Sequence, residues 1–283
     1  MGEQTTHLQA IPGTPRVALV TGASSGIGEA TARRLAREPG MALVLVARRE
    51  ERLRALAHSL TPALGYEGVS WVTVDLVDED APERIRAHVS EHHGRLDLLV
   101  NNAGAAWRKQ FADGGYENVR RTMAINFDAQ VRLTERLLPL LRESAPSAIV
   151  NVASTAARVT RKGTGAYSAS KAALASWSDA LWAEEHAGGV HVGLVLPGFI
   201  STEGFPQAEL TAKLWTRWAV STPEQGAEAI IQAGLGRKPE RYVPRPYGLI
   251  AISRSLIPGV VRRVISGNSA AVMTTATGAD VQG

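Results

Sequence analysis

Short apolar runs alternate with longer amphipathic stretches along most of the chain. The runs Val17–Val20, Ala42–Val46, Ser70–Val74, Leu96–Val100, Ala148–Val152 and Val192–Leu196 are continuous and rich in valine and leucine. That is the pattern of strands covered on both faces. Between them, Gly26–Arg37, Arg49–Leu60, Pro82–His93, Tyr116–Arg142 and Ala166–His186 space their apolar residues as helices do. A last short strand is expected near Arg241–Val243. Strand and helix in alternation predict an α/β fold, a doubly wound parallel sheet with helices on both faces. Residues 1–15 read as a flexible tail, 16–245 as one Rossmann-like domain, and 246–283 as an amphipathic extension and tail.

Composition narrows the picture. A chain of 283 residues is within reach of one open α/β domain. The absence of cysteine excludes disulfides, cysteine-ligated zinc, iron–sulfur clusters and a cysteine nucleophile; no metal site is read. The N-terminus lacks a basic start followed by an apolar run, so it is not read as a secretory signal. No apolar stretch is long enough to span a bilayer. A soluble, cytoplasmic protein is expected. The net charge is +4. Arg237, Lys238, Arg241, Arg245, Arg254, Arg262 and Arg263, against Glu240 alone, place +6 in one segment and leave about −2 for the rest. A body near neutrality argues against a nucleic-acid partner.

The first strand runs directly into Thr21-Gly-Ala-Ser-Ser-Gly-Ile-Gly28 and then a helix. Such a turn lies at the carboxyl edge of the sheet, where dinucleotides bind. Gly22 permits the turn, Gly26 lets the backbone approach a pyrophosphate, and Gly28 lets helix and strand pack closely. Ser24 and Ser25 add hydroxyls, and the helix N-terminus supplies free N–H groups. The second strand ends Val46-Ala47-Arg48-Arg49, with no carboxylate for a ribose 2′-hydroxyl. Arginines there suit the 2′-phosphate of NADP. Basic residues also oppose the dipole of the helix they begin, which an anionic partner would relieve. NADP(H) is therefore the expected cofactor, with NAD(H) left open.

Tyr167-Ser-Ala-Ser-Lys171 sets a phenol and an ammonium four residues apart, on one face of a helix. A nearby ammonium favours phenolate, so the tyrosine could exchange a proton with a carbonyl or alcohol oxygen near neutral pH. Ser154 follows the fifth strand; it could bond a substrate oxygen or cap a turn. Asn126 is a poor helix former inside a long helical stretch. It reads either as a polar site holding a water or as a satisfied buried amide.

Taken together these residues resemble the short-chain dehydrogenase/reductase family. The resemblance rests on Thr21–Gly28, Asp75, Asn101-Asn102-Ala103-Gly104, Asn126, Ser154, Tyr167, Lys171, Pro197-Gly198 and Thr202, in order from about Arg16 to Ile231. It implies an NADP-preferring oxidoreductase with Tyr167 as acid/base and Ser154 orienting the substrate oxygen. Lys171 would bind the nicotinamide ribose and lower the Tyr167 pKa, and Asn126 would anchor a relay water. Gly22, Ser24, Ser25, Gly26, Ile27, Gly28, Arg48, Arg49, Asp75, Leu76, Asn102, Ala103 and Gly104 would line the adenosine and phosphate side. Pro197, Gly198, Ile200 and Thr202 would line the nicotinamide. The resemblance also implies the strand order 3-2-1-4-5-6-7 and a homodimer or homotetramer. Two departures stand out: Ser25 replaces the basic residue common in NADP-preferring members, and Ala153 replaces the first serine of the usual pair.

The resemblance implies a small-molecule carbonyl or alcohol substrate, with an apolar one among those expected. Loops 105–115, 155–165 and 199–221 should wall it. Phe205, Leu214, Trp215 and Trp218 form either an aromatic lid over an apolar substrate or ordinary helix packing. The apolar and basic residues of Tyr247–Ile265 are expected to pack within the protein, with contact to an anionic membrane surface as the alternative. Two other functions are weighed: a non-catalytic NADP-binding regulator, and a membrane-surface enzyme acting on a lipophilic substrate. A regulator needs no acid/base, so intact Tyr167, Lys171, Ser154 and Asn126 speak against the first.

Overall fold

The computed structural model describes residues 15–65, 68–200 and 220–266. Nine strands follow in chain order: β1 (Arg16–Thr21), β2 (Met41–Ala47), β3 (Val69–Thr73), β4 (Leu98–Asn101), β5 (Ser147–Val152), β6 (Val190–Pro197), β7 (Phe199–Ile200), β8 (Val220–Ser221) and β9 (Glu240–Val243). Seven of them form one sheet in the order β3-β2-β1-β4-β5-β6-β9, and β7 pairs with β8 alone. All neighbours run parallel. With β9 as the seventh strand, this is the order expected.

The helices are α1 (Gly26–Leu35), α2 (Glu50–Leu64), α3 (Ala81–His92), α4 (Phe111–Met123), α5 (Ala129–Glu143), α6 (Gly165–Glu185), α7 (Pro223–Gly234), α8 (Tyr247–Leu256) and α9 (Pro258–Ser266). Side chains alternate across a strand. Ala18, Val20, Leu43 and Leu45 therefore meet Ala32, Leu35, Leu53 and Ile230 of α1, α2 and α7 on one face. Val17, Leu19, Val44 and Val46 meet Ile85, Leu133, Leu137 and Leu181 of α3, α5 and α6 on the other. Both faces are buried, which is why the strands are continuously apolar.

Two expectations need correction. The stretch Tyr116–Arg142 is not one α-helix: a π-type turn over Ala124–Asp128 separates α4 from α5 and holds Asn126 at 0% exposure. Such turns hold one residue more than the α-helical ladder can carry, and they favour functional positions. The C-terminal extension also differs. Tyr247 packs on Gly198, where an added Cβ would fall on its ring. Beyond it, Leu249, Ile252 and Leu256 of α8 are exposed, so these apolar residues do not pack within the protein. No helix among the described residues is long and apolar enough to cross a membrane.

Candidate active site

The strand order reverses between β1 and β4, and the crevice at their carboxyl ends is where this fold takes ligands. Thr21, the last residue of β1, ties the two strands together. Its hydroxyl donates to Val100 O (3.1 Å) and accepts from the N–H groups of Asn102 (2.9 Å) and Ala103 (3.0 Å). Asn102 Nδ2 donates back to Thr21 O at 2.9 Å. The glycine turn is thereby fixed against the Asn101–Gly104 segment. Gly22 and Gly26 hold φ of 67° and 58°, a region where a side chain would be strained. Ser25 precedes α1 without a side-chain cap, which leaves the first-turn N–H groups to an anion. These features fit a dinucleotide pyrophosphate.

The two arginines after β2 divide. Arg49 lies across the turn, with Nη2 donating to Ser24 Oγ (3.1 Å) and Ser25 Oγ (2.8 Å). Arg48 is more exposed and approaches Asp75 Oδ2 at 3.5 Å. Asp75 also accepts from the Val77 N–H and so caps its own turn. The Leu76 side chain is buried in the core on one face of the sheet, and Ile27 of α1 packs partly buried against the core on the other.

On the other side of the crevice, Tyr167 and Lys171 rise from the first turns of α6. Lys171 is 3% exposed and its ammonium donates to Val152 O at 2.8 Å. Ser154 takes up the capping role of the two offered for it. Its Oγ accepts from the Ala156 N–H, capping a short 3-10 turn, and donates to Pro197 O at 3.2 Å. The Asn126 amide is engaged: Oδ1 accepts from Ala105 N (2.8 Å), and Nδ2 donates to Ala105 O (2.9 Å) and Ser170 Oγ (3.0 Å). Its side chain thus braces the Gly104–Ala105 loop. An added Cβ on Gly104 would lie 2.7 Å from Asn126 Oδ1 and 3.3 Å from Lys171 Nζ. Glycine there is what allows the loop so close to both.

Burial pushes the Tyr167 phenol above its ordinary value, while Ser154 and the guanidiniums of Arg108 and Arg161 pull it down. Arg108 and Arg161 were not singled out in the sequence, although both lie in the loops read as substrate walls. The other new residues here are Ser170, whose hydroxyl donates to Tyr167 O, and Gln130, whose amide donates to Ala103 O. Pro197 and Gly198 border the site, the latter bonded through its N–H to Val243 O. Ile200 is 5% exposed, with Gly226 of α7 packed against its side chain. Thr202, Phe205, Leu214, Trp215 and Trp218 lie outside the described residues.

Burial lowers Lys171 from 10.5 to about 8. Between about pH 8 and pH 10 the unfolded chain holds this proton and the folded one does not, so stability rises with pH. Tyr167 acts oppositely, but only above pH 10, where the folded state is the one keeping its proton. The ligand-free protein should therefore gain on the order of 2–3 kcal/mol over Lys171→Met across that window. Urea unfolding at several pH values measures it, and a flat difference would contradict the burial argument.

The sequence pattern of the short chain dehydrogenase family matches residues 16–212. An uncharacterized oxidoreductase of Mycobacterium tuberculosis is 35% identical over 254 residues, which cover 88% of this chain and 72% of that protein. The 11-beta-hydroxysteroid dehydrogenase 1A of Arabidopsis thaliana is 41% identical over 191 residues, covering 66% of this chain and 53% of that one. Among solved structures, L-sorbose reductase from Gluconobacter frateurii, complexed with NADPH and L-sorbose, superimposes with a TM-score of 0.72. It is 28% identical, and the match covers 81% of this chain and 94% of that one.

Proposed function

The chain belongs to the short-chain dehydrogenase/reductase family, and on that premise we propose that it moves a hydride between NADP(H) and a ketone or aldehyde, or the corresponding secondary alcohol. The observation that carries this reading is the meeting of Tyr167, Ser154 and Lys171 at the sheet edge that also bears the glycine turn. A bound nicotinamide would supply or accept the hydride. Tyr167 gives its phenolic proton to the carbonyl oxygen, or takes one from the alcohol. Ser154 holds that oxygen by turning its hydroxyl away from Pro197 O, a long bond that is easily given up. Lys171, buried beside Tyr167, is the cation that would meet the nicotinamide ribose. The test is NADPH consumption over ketones, aldehydes, β-ketoacyl thioesters and steroids. Turnover of at least one class is expected; binding of NADPH without any turnover would favour a regulator.

Preference for NADP(H) is part of the proposal. Its support is Arg49, whose guanidinium is held with the Ser24 and Ser25 hydroxyls beside the glycine turn, a donor set that suits a 2′-phosphate. A hydrogen bond to a charged group contributes about 1.5–3 kcal/mol. Arg49→Ala should therefore weaken NADPH about tenfold to a hundredfold and leave NADH little changed. Arg48→Ala should do less, because Arg48 is exposed and turned toward Asp75. Fluorescence titration with both cofactors decides it. Equal affinities in the unaltered protein, untouched by either substitution, would refute the preference.

A further inference from the structure

We propose that α8 and α9 dock the protein on an anionic lipid surface. Large apolar side chains left exposed by a fold are ordinarily scattered. Val77, Phe111, Tyr116 and Trp182 are spread in this way over the rest of the chain. The other six among the described residues, Leu249, Ile250, Ile252, Leu256, Ile257 and Val260, fall within one short stretch. Leu249, Ile252 and Leu256 recur at three and then four residues, so they line one face of α8, and the two leucines are 72% and 74% exposed. The helix is anchored by its first residues, Tyr247 on Gly198 and Gly248 against the Tyr242 ring. Its leucines therefore add nothing to the fold, and what they lack is an apolar layer to enter.

Charge decides which layer. Arg245, Arg254, Arg262 and Arg263 lie in the same stretch, and no acidic residue occurs from Arg241 to Ser266. An arginine at a lipid surface keeps its stem in the apolar layer and its guanidinium among the headgroups, and each such cation strengthens binding to an anionic leaflet. A second copy of the chain would answer the leucines but not the arginines. A two-fold contact presents the same patch from both sides, so it would set arginines against arginines, with no carboxylate in either segment to separate them. A nucleic acid would answer the arginines and leave the leucines in water. An anionic lipid layer answers both. The face also lies beside the crevice. Gly198, against which Tyr247 packs, follows Pro197, whose carbonyl accepts the Ser154 hydroxyl. Docking therefore holds that wall of the crevice next to the lipid, whatever carbonyl the crevice takes.

The test is flotation of the full chain with vesicles, made of phosphatidylcholine alone or of three parts phosphatidylcholine to one part phosphatidylserine. Binding to the mixed vesicles is expected, and binding at least about tenfold weaker to the neutral ones, because several cations contribute only at the anionic surface. Raised salt should weaken the binding to mixed vesicles. Leu249→Glu with Leu256→Glu should lower it about a hundredfold, since two apolar anchors are lost and two like charges face the lipid. Arg254→Ser with Arg262→Ser should lower it about tenfold and leave the weak binding to neutral vesicles unchanged. Thermal unfolding at the parent's temperature shows that each variant has folded. A parent that floats with neither mixture, or a leucine variant that floats as the parent does, would overturn the docking. Equal binding to both mixtures would overturn its anionic character. A parent that ignores vesicles, and whose mass in light scattering halves in the leucine variant, would give the face to a second copy instead.

Discussion

Tyr167→Phe should lower turnover about 10²–10⁴-fold, the usual worth of a positioned acid or base, while NADPH binding stays largely intact. The substitution keeps the ring that packs beside Ser154 and removes only the hydroxyl. No neighbour can take over the proton. Ser154 is bonded to Ala156 N and Pro197 O, Lys171 is turned to Val152 O, and Arg108 and Arg161 do not release protons near neutral pH. The measurement pairs cofactor titration with single-turnover rates on whichever carbonyl the NADPH screen identifies. A variant that turns over near-normally would remove Tyr167 as the acid/base, even with the fold and the cofactor site unchanged.

Gly28→Ala should be the most damaging small change at the cofactor side. A Cβ there would fall on the carbonyl oxygen of Gly22 and lie 2.7 Å from Asn102 Nδ2. Neither can give way easily. Gly22 is itself wedged, with its own Cβ position 3.0 Å from Ala103 Cα, and Asn102 is held by Thr21. Overpacking of this kind costs about 1–3 kcal/mol. Because the displaced atoms are the phosphate turn, much of that should appear as NADPH affinity, a weakening of up to about a hundredfold. Gly188→Ala, whose Cβ would meet nothing within 4 Å, is the control. If the two variants bind NADPH equally well, the turn is not what cradles the cofactor.

The strands were legible because a sheet buried on both faces leaves no polar positions to blur its runs. The glycine turn was legible because it joins such a run to a helix. Helix α7 was not anticipated, although Thr222 and Gln225 form a reciprocal cap at its start and Pro223 opens it; four residues of capping signal are short beside a strand. The π-type turn was hidden for a different reason. A slip of one residue barely disturbs helical periodicity over a long window, and the partners of Asn126 lie 21 and 44 residues away. Arg48 and Arg49 looked equivalent as neighbours, and only the direction in which each side chain leaves β2 separates them. Arg108 and Arg161 have no local mark at all. A loop arginine reads as solvated until two loops fold onto one phenol.

The π-type turn between α4 and α5 has a consequence for how this chain can change length. The turn absorbs one residue. Each α-helical residue advances the helix by about 100°, and the wider turn takes up its surplus residue with little change of that phase. Removing one residue between Ala124 and Asp128 would therefore close the α-helical ladder and leave α5 facing nearly as it does. Leu133, Leu137 and Leu141, all fully buried, would stay on the sheet. The surplus residue is thus needed to seat Asn126 against Ala105 and not to hold α5 in place, so the first can be lost without the second.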